Sequence, residues 1–221
     1  PDTLTLRCFI MESIWTRTTL PVHPPLEGRH RCDAVVLGGG MAGILTAWFL
    51  RQHGLSVIVL EANRVGSGQT QNTTAKITAQ HGLCYAKLID RFGAQDALRY
   101  ARAARQAVTD FRDIIAQEHI TCHLENLPSY LYSRYDPTTL KKERDAACDL
   151  GFGAEFVKKT CLPFPVEGAV LFPDQAQFHP LEFLRSVSKP LVIYEHSKVT
   201  DVSDHQVTTA HGTVTADHIL F

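Results

Sequence analysis

Glycines in a fixed spacing are the first chemistry-bearing feature of the sequence. Residues 38–43 read Gly-Gly-Gly-Met-Ala-Gly and match the pattern G-x-G-x-x-G. In that pattern the first glycine permits a tight turn, the second lets the backbone approach a pyrophosphate, and the third lets a helix pack closely on a strand. The amides at the start of that helix then face the phosphates. The residues predicted to form a dinucleotide site here are Gly38, Gly40, Met41, Ala42 and Gly43.

A single carboxylate, Glu61, follows the glycine pattern at the distance expected for a ribose ligand. It stands 18 residues after Gly43, at the end of the apolar run 56–60. An acidic side chain at this position can accept hydrogen bonds from both hydroxyls of an adenosine ribose. The same charge repels a 2′-phosphate and disfavours NADP. Glu61 therefore favours NAD or FAD, and the glycine pattern leaves the choice between them open.

The polar segment 63–80 is rich in Gly, Ser, Thr, Asn and Gln and has few apolar residues. A polar stretch of this length inside a compact chain is usually functional or disordered. A loop of this kind can supply backbone and hydroxyl donors along a dinucleotide, from the ribose towards its far end. The longer FAD suits that arrangement better than NAD. The loop residues expected to contact the cofactor are Gly68, Thr70, Thr73, Thr74 and Lys76.

A strand, a turn and a helix are needed to position these groups. The apolar run 32–37 predicts a buried parallel strand, and residues 41–53 carry apolar side chains at helical spacing until Gly54 ends the helix. Residues 56–60 predict a second buried strand. The three elements have the size of one βαβ crossover. The fold class predicted is therefore α/β, with a Rossmann-type sheet.

Further helices and short strands are predicted along the rest of the chain. The predicted helices cover 83–92, 94–118 and a segment from the Asp136-Pro137 cap to Leu150; the predicted strands cover 120–124, 129–134, 191–195, 199–202, 206–210 and 213–216. A right-handed crossover would add the strand 191–195 parallel to the first two strands. The arginines of the long helix, at positions 99, 102, 105 and 112, are expected to form a solvated face.

Composition limits the function classes. The chain has 221 residues, 44% of them hydrophobic, and a formal net charge of -1, which supports a packed core and argues against a nucleic-acid binder. The uncharged run 34–50 is short for a membrane span and contains the glycine turn. The six cysteines form no C-x-x-C pair, and His119, Cys122 and His123 lack a second ligand pair, so no metal site is predicted. A targeting segment is not evident, and a cytoplasmic location is expected.

Several segments together resemble the FAD-dependent oxidoreductases of the D-amino-acid oxidase and glycine oxidase type. The resemblance is strongest to a bacterial subgroup that often carries a C-terminal Rieske iron–sulfur domain, and it spans about residues 11–221. The segments that carry it are 12–15, 33–43, 66–70, 73–82 and 175–180. The resemblance implies FAD as the cofactor. It adds Ala62, Arg64, Ala75 and Val199 to the residues expected near FAD.

The activity that the resemblance implies is oxidation of an amine or amino acid by hydride transfer to flavin N5. The resulting imine is then hydrolysed by water. Lys76 and His81 are the candidate groups near the reactive end of the flavin. The family continues beyond Phe221, so the chain is expected to be the N-terminal part of a longer enzyme that holds most substrate-anchoring residues elsewhere. Expected partners are the small amine or amino-acid substrate, a Rieske or other electron-transfer protein, and a second copy of the chain.

Two other function classes stay open. One is an FAD- or NAD-binding module without catalysis of its own, and the other is an NAD-dependent dehydrogenase.

The resemblance also implies a domain organisation. Residues 32–115 and 170–221 are expected to form an FAD-binding domain, preceded by an N-terminal arm of residues 1–31. Residues 116–169 are then part of a mixed α+β substrate domain.

Overall fold

A computed structural model describes residues 13–221, which form four α-helices, twelve strands and two 3₁₀ turns at Ile14–Arg17 and Gln69–Asn72. The helices are α1 (Met41–Gln52), α2 (Tyr85–Gln117), α3 (Thr138–Asp149) and α4 (Pro180–Ser188). The strands are β1 (Gly28–Leu37), β2 (Val57–Leu60), β3 (Lys76–Ile77), β4 (Glu125–Asn126), β5 (Ser129–Ser133), β6 (Glu155–Val157), β7 (Gly168–Phe172), β8 (Ala176–Gln177), β9 (Val192–Tyr194), β10 (Val199–Ser203), β11 (Gln206–Thr209) and β12 (Gly212–Leu220).

The described chain packs as two compact units. The first is Pro1–Thr73 with Pro180–Phe221, described from residue 13, and the second is Thr74–His179. The first unit holds a six-stranded sheet in the order β10-β11-β12-β1-β2-β9. The central strands β12, β1, β2 and β9 run parallel, and β10 and β11 add an antiparallel meander at one edge.

Apolar runs explain why the centre of this sheet is parallel. Every residue of β2 is buried, and so are Ala34, Val35 and Val36 of β1, as is usual for strands covered on both faces. Helix α1 buries Ile44, Ala47 and Trp48 and packs on β1, β2 and α4. The predicted βαβ unit is therefore confirmed. The strand predicted at 191–195 is also confirmed, because β9 pairs parallel with β2.

The sheet is longer than the sequence predicted. Strand β1 starts at Gly28, so residues 28–31 of the predicted N-terminal arm belong to the sheet, where they pair with residues 212–215 of β12. The strand predicted at 213–216 is part of a longer strand, β12, that runs alongside β1 as far as Leu220. Residues 1–12 of the predicted arm lie outside the described residues.

The second unit contains two three-stranded sheets, β3-β8-β4 and β5-β7-β6, together with α2 and α3. Its core is built around the fully buried Tyr85 and Phe172, with Ala101, Leu140 and Val170 packed in the same cluster. Helix α2 is broken at Gly93, where φ is 81° and ψ is 163°. The two helices predicted on either side of that position are therefore confirmed as two helical segments.

Three sequence expectations in the second unit are wrong in detail. The segment predicted as a strand at 120–124 is irregular, because His119 and His123 both have positive φ, at 50° and 49°. Asp136 does cap α3, but it does so from one residue before the N-cap, accepting a hydrogen bond from the Thr138 amide at 2.8 Å. Arg105 is exposed as expected and Arg112 is half-buried, but neither guanidinium contacts solvent alone.

Instead, these two arginines tie α2 to neighbouring loops. Arg105 donates to the Gly151 carbonyl at 2.7 Å, and Arg112 donates to the Asp174 and Gln175 carbonyls at 2.7 and 3.1 Å. Gly151 and Asp174 have positive φ, at 84° and 55°. The guanidinium groups therefore supply donors to carbonyls at or beside turns with positive φ.

The compact units divide the chain differently from the predicted domains. Residues 74–115, expected in the FAD-binding domain, belong to the second unit, because α2 packs on α3. Residues 170–179 also belong to the second unit, since β7 pairs with β5 and β6. The assignment of functions to the domains stays a prediction. Within residues 13–221, no helix is long and apolar enough to cross a membrane.

Candidate functional site

The glycine turn connects the end of β1 to the start of α1. Gly38 has a φ of 116°, which glycine adopts readily and other residues rarely do. Its amide donates to the Leu60 carbonyl at 2.8 Å. This bond ties the turn to the end of β2. A Cβ atom built on Gly43 would lie 2.0 Å from the Gly38 carbonyl oxygen, so only glycine permits this approach of α1 to the turn.

Gly40 has a different environment from Gly43. It is the N-cap of α1 with φ −79°, and it provides no side chain to cap the helix. A Cβ atom on Gly40 would meet only the Thr70 hydroxyl, at 3.6 Å. The space in front of Gly40 is therefore open within the first unit. The backbone conformation of Gly40 does not itself require glycine.

The first amides of α1 form the polar part of the site. Met41 donates its amide to the Thr70 hydroxyl at 3.0 Å, and the first intrahelical bond runs from Ile44 to the Gly40 carbonyl at 3.0 Å. Among the described residues, the amides of Ala42 and Gly43 have no hydrogen-bond acceptor. Free amides at a helix N-terminus carry partial positive charge and bind anions such as phosphate.

A cleft of about 490 Å³ opens at this helix end. Its lining consists of Val36, Leu37, Gly38, Gly40, Met41, Ala42, Gly43, Thr46, Gln69, Thr70, Leu220 and Phe221. The cleft lies at the carboxyl ends of the parallel neighbours β1 and β12. Strands β2 and β9 lie on one side of β1 and strands β12, β11 and β10 on the other, so the strand order reverses here. Ligands of open α/β sheets bind at such a point.

Glu61 follows β2 and points at the glycine turn. One carboxylate oxygen accepts from the Gly39 amide at 2.6 Å, and the other accepts from the Asn63 amide at 2.8 Å. The side chain is half-buried. Each carboxylate oxygen has two acceptor sites, so both keep capacity for a further donor such as a ribose hydroxyl. The position therefore combines a structural role in the turn with the capacity to bind a diol.

The other predicted residues of the first unit differ in their contacts. Ala62 and Gly68 are exposed, and the Thr73 carbonyl accepts from the Trp15 indole at 2.9 Å. Val199 is half-buried at the start of β10, where it packs against the cluster of Val35 and its neighbours. These residues lie in the same compact unit as the glycine turn.

Arg64 was predicted near the cofactor, but its guanidinium contacts the protein. Its Nε lies 2.8 Å from a Glu195 carboxylate oxygen, and its Nη2 lies 3.5 and 3.3 Å from the Leu20 and Pro21 carbonyls. The side chain therefore binds the N-terminal arm and Glu195, the residue that follows β9. A role of Arg64 in cofactor binding stays a prediction.

Four predicted residues belong to the second unit. Thr74 is exposed, Ala75 is buried with a φ of 59°, and Lys76 begins β3, where it pairs with Gln177 of β8. The His81 ring lies 6.5 Å from the Tyr100 ring in an edge-on arrangement. Lys76 also lines a cavity of about 250 Å³ with Tyr130 and other residues of the second unit.

Some residues of the candidate site were not found from the sequence. Thr46 and Gln69 line the cleft beside predicted residues, and Leu220 reaches it because β12 pairs with β1 from Gly28 to Val36. Such pairing links residues far apart in the chain and leaves no local signal. Thr70 was predicted, but its specific role as acceptor for the Met41 amide was not.

The chain belongs to the family of FAD-dependent oxidoreductases, because the family model named "FAD dependent oxidoreductase" matches residues 33–221. FAD is the cofactor of that family. The match covers the glycine turn, Glu61 and the whole six-stranded sheet apart from the first residues of β1. The family expected from the sequence is therefore confirmed.

Two curated relatives share sequence with most of the chain. YhfW of Bacillus subtilis (strain 168), whose name describes a Rieske 2Fe-2S iron-sulfur protein, is 35% identical over 199 residues, covering 86% of this chain and 39% of YhfW. The gamma-glutamylputrescine oxidoreductase of Escherichia coli (strain K12) is 23% identical over 206 residues, covering 86% of this chain and 48% of that protein. The chain thus spans less than half the length of either relative.

The fold also matches solved structures. Glycine oxidase from Geobacillus kaustophilus superposes with a TM-score of 0.71 at 17% identity, over 86% of this chain and 54% of that enzyme. At this level of identity the likeness establishes the fold alone. It confirms the predicted α/β fold class with an FAD-binding sheet of this type.

Proposed function

We propose that this chain binds FAD at the glycine turn and forms the cofactor-binding part of an oxidoreductase acting on an amine or amino acid. The observation that carries the proposal is the uncapped start of α1, with the free amides of Ala42 and Gly43 beside a cleft of about 490 Å³. Clefts of this size are typical of small-molecule and cofactor sites. Membership in the FAD-dependent family supports the choice of FAD over NAD.

The residues of the first unit have distinct roles in this proposal. The amides of Ala42 and Gly43 donate to the pyrophosphate, and Glu61 accepts hydrogen bonds from the adenosine ribose. Because Glu61 already holds Gly39 and Asn63, its carboxylate is oriented before the cofactor binds. Thr70 holds the Met41 amide and so fixes the direction of the first turn of α1. The remaining predicted residues of the loop and Val199 are proposed to contact other parts of FAD.

FAD, when bound, supplies a hydride acceptor for the substrate carbon that bears nitrogen. The contribution of this chain is to orient the cofactor and to exclude wrong dinucleotides. The carboxylate of Glu61 disfavours a 2′-phosphate through repulsion. Lys76 and His81 remain the proposed groups near the reactive end of the flavin, and of these Lys76 lines a cavity with Tyr130 and Tyr132.

The substrate class is proposed from the names of relatives. Glycine oxidase and gamma-glutamylputrescine oxidoreductase are names of enzymes that act on an amino acid and on an amine derivative. The name of YhfW supports a Rieske centre as an electron-transfer partner, either elsewhere in the same protein or in a second one. Self-association and a cytoplasmic location stay predictions.

Equilibrium titration of the purified chain with FAD tests the proposal. Flavin fluorescence should be quenched on binding, and ADP should compete whereas 2′,5′-ADP should compete poorly because of Glu61. NAD serves as the comparison ligand. Binding of NAD without binding of FAD would favour an NAD-dependent dehydrogenase, and FAD binding by a longer protein that oxidises no amine would favour a non-catalytic flavin module.

A further inference from the structure

Glu195 is a buried carboxylate that neither the sequence motifs nor the proposed cofactor contacts explain. It follows β9, and its side chain is completely buried. One carboxylate oxygen accepts from the Val65 amide at 2.8 Å. The other accepts from the His23 amide at 3.0 Å and lies 2.8 Å from Arg64 Nε. The carboxylate therefore joins the N-terminal arm, the loop after β2 and the end of β9.

The loop held by Glu195 is the one that contacts the glycine turn. Val65 is followed by Gly66, whose amide donates to the Gly39 carbonyl at 2.9 Å. Gly66 is itself tightly confined, because its φ is 72° and a Cβ atom there would lie 2.9 Å from a Leu184 methyl. The loop reaches the turn a second time at Thr70, whose hydroxyl accepts from the Met41 amide.

Backbone bonds extend the same connection to Glu61. The Glu61 amide donates to the Tyr194 carbonyl at 2.9 Å, and the Ser197 amide donates to the Glu61 carbonyl at 2.9 Å. The His196 amide donates to the Asn63 carbonyl at 3.0 Å. The residues on both sides of Glu195 thus pair with residues 61–63, so the backbone and the carboxylate hold one loop together.

The chemistry of the contacts favours the ionised form of Glu195. Burial opposes ionisation, but the amides of His23 and Val65 and the Arg64 guanidinium together lower the pKa of the carboxyl. All the groups that face the carboxylate are donors. A glutamine would present an NH₂ group to one of these donors, since an amide has only one acceptor oxygen. The isosteric Glu195→Gln change therefore removes part of the network with little change in volume.

We propose that Glu195 is a positioning residue for the dinucleotide site, holding the loop 61–71 against the glycine turn. It touches no cofactor in this proposal, which rests on the proposed FAD site. It acts through Val65 and Gly66 on Gly39, and so keeps Glu61 and the start of α1 in a fixed relation.

The test compares E195Q with the matched control E143Q. Glu143 is also a buried carboxylate, 1% exposed, and it accepts from the Tyr85 and Ala86 amides at 2.8 and 3.0 Å in the second unit. Hydrogen exchange of the ligand-free chain is measured for peptides covering 38–43 and 61–71. FAD affinity is measured by titration, and the unfolding temperature of each variant is recorded.

E195Q is expected to raise exchange in both peptides and to weaken FAD binding at least tenfold. E143Q is expected to lower the unfolding temperature while exchange in these peptides and FAD affinity stay within twofold of the unsubstituted chain. Glu195→Asp keeps the charge but withdraws it by one methylene, and it should raise exchange in the same two peptides to a smaller extent. It also provides the measurement if E195Q does not fold.

Several outcomes would overturn the proposal. Unchanged exchange at 38–43 and 61–71 in the folded Glu195 variants would do so, and so would an equal loss of FAD affinity in E195Q and E143Q, because affinity would then follow general stability. If the unsubstituted chain binds no FAD but the exchange pattern of E195Q is as expected, the proposed function fails while the positioning of the loop by Glu195 is supported.

Discussion

Substitutions at Gly43 and Gly40 should have different effects, although both glycines belong to one turn: the first should affect folding stability and the second cofactor binding. In the Gly43→Ala variant, the new Cβ atom would lie 2.0 Å from the Gly38 carbonyl oxygen. In the Gly40→Val variant, the Cβ atom would meet only the Thr70 hydroxyl at 3.6 Å. The first change is an overpacking of helix against turn, whereas the second places a side chain in the space proposed for the pyrophosphate.

The magnitudes follow from these distances. Relief of the Gly43 contact needs a shift of about 1 Å between α1 and the turn, and overpacking of this kind costs about 1–3 kcal/mol of folding free energy. Gly40 is an extended N-cap with no side-chain cap to lose, so Gly40→Val should cost less than about 1 kcal/mol. Its effect on FAD should be larger, at least about tenfold in affinity, or about 1.4 kcal/mol.

Urea unfolding and FAD titration of both variants provide the assay. Gly43→Ala should lower the free energy of unfolding clearly more than Gly40→Val does. Gly40→Val should remain folded, with a normal far-UV spectrum, and lose flavin binding. Gly54→Ala, at the end of α1 and away from the cleft, is the control for a general glycine effect, although its φ of 85° carries its own cost. A folded Gly40→Val variant with unchanged FAD affinity would refute the placement of the pyrophosphate.

Three further predictions concern single side chains. Glu61→Ala should weaken FAD by about 1.5–3 kcal/mol through loss of charge-assisted hydrogen bonds, and a titration that shows a much smaller loss would limit Glu61 to its contacts with Gly39 and Asn63. Thr70→Val should lower the free energy of unfolding by about 0.5–1.5 kcal/mol because the Met41 amide loses its acceptor, whereas Thr70→Ser should restore it; equal unfolding curves for the two variants would contradict this. Because the pKa of Glu195 is lowered, its contribution to stability is present above the ordinary carboxyl value of 4.5 and is lost as the pH falls below that value. The unfolding free energy of E195Q should therefore depend less steeply on pH in this acidic range than that of the unsubstituted chain. Parallel pH profiles of the two proteins would argue against an ionised Glu195.

The sequence predicts the glycine turn and its flanking elements well because their determinants are local. The turn, the apolar run before it and the helical spacing after it all lie within residues 32–60. The break of α2 at Gly93 is predicted for the same reason, since one residue with free access to positive φ separates two helical patterns. In such places local preference and tertiary packing agree.

Long-range pairing is the part that local patterns could not supply. Residues 28–31 look like the end of a polar arm, and they become a strand only because residues 212–215 lie beside them. The irregular segment 120–124 shows the opposite case. Its alternation resembles a strand, but Ile120 closes the end of α2 by donating its amide to the Ile115 carbonyl, at 2.9 Å. Tertiary context thus overrode the local preference in both directions.

Whether a charged side chain faces solvent or a buried partner does not follow from local sequence. Charged residues on a helix usually face solvent, and Arg102 is indeed exposed. Arg112 instead donates to two carbonyls of a turn 62 and 63 residues away in sequence. Glu195 gave no signal, because an acid after a short strand is ordinary until the amides that surround it are known. Buried polar networks are formed by partners that are distant in sequence.

Most hydrogen-bond donors of the candidate phosphate site are backbone amides. Side chains at that site therefore have little influence on which cofactor binds. The amides of Ala42 and Gly43 are available in any sequence that folds this way, so in the proposed site they would give affinity for a phosphate without selecting a cofactor. Selection must come from the loop 61–71, which supplies Glu61 and Thr70 to the glycine turn. A loop determines selectivity only as far as its position is fixed, and in our proposal Glu195 fixes it through the Val65 amide. Changes at Glu195 should therefore reduce the preference for ADP over 2′,5′-ADP as well as the affinity, whereas changes that merely destabilise the second unit should leave that preference intact.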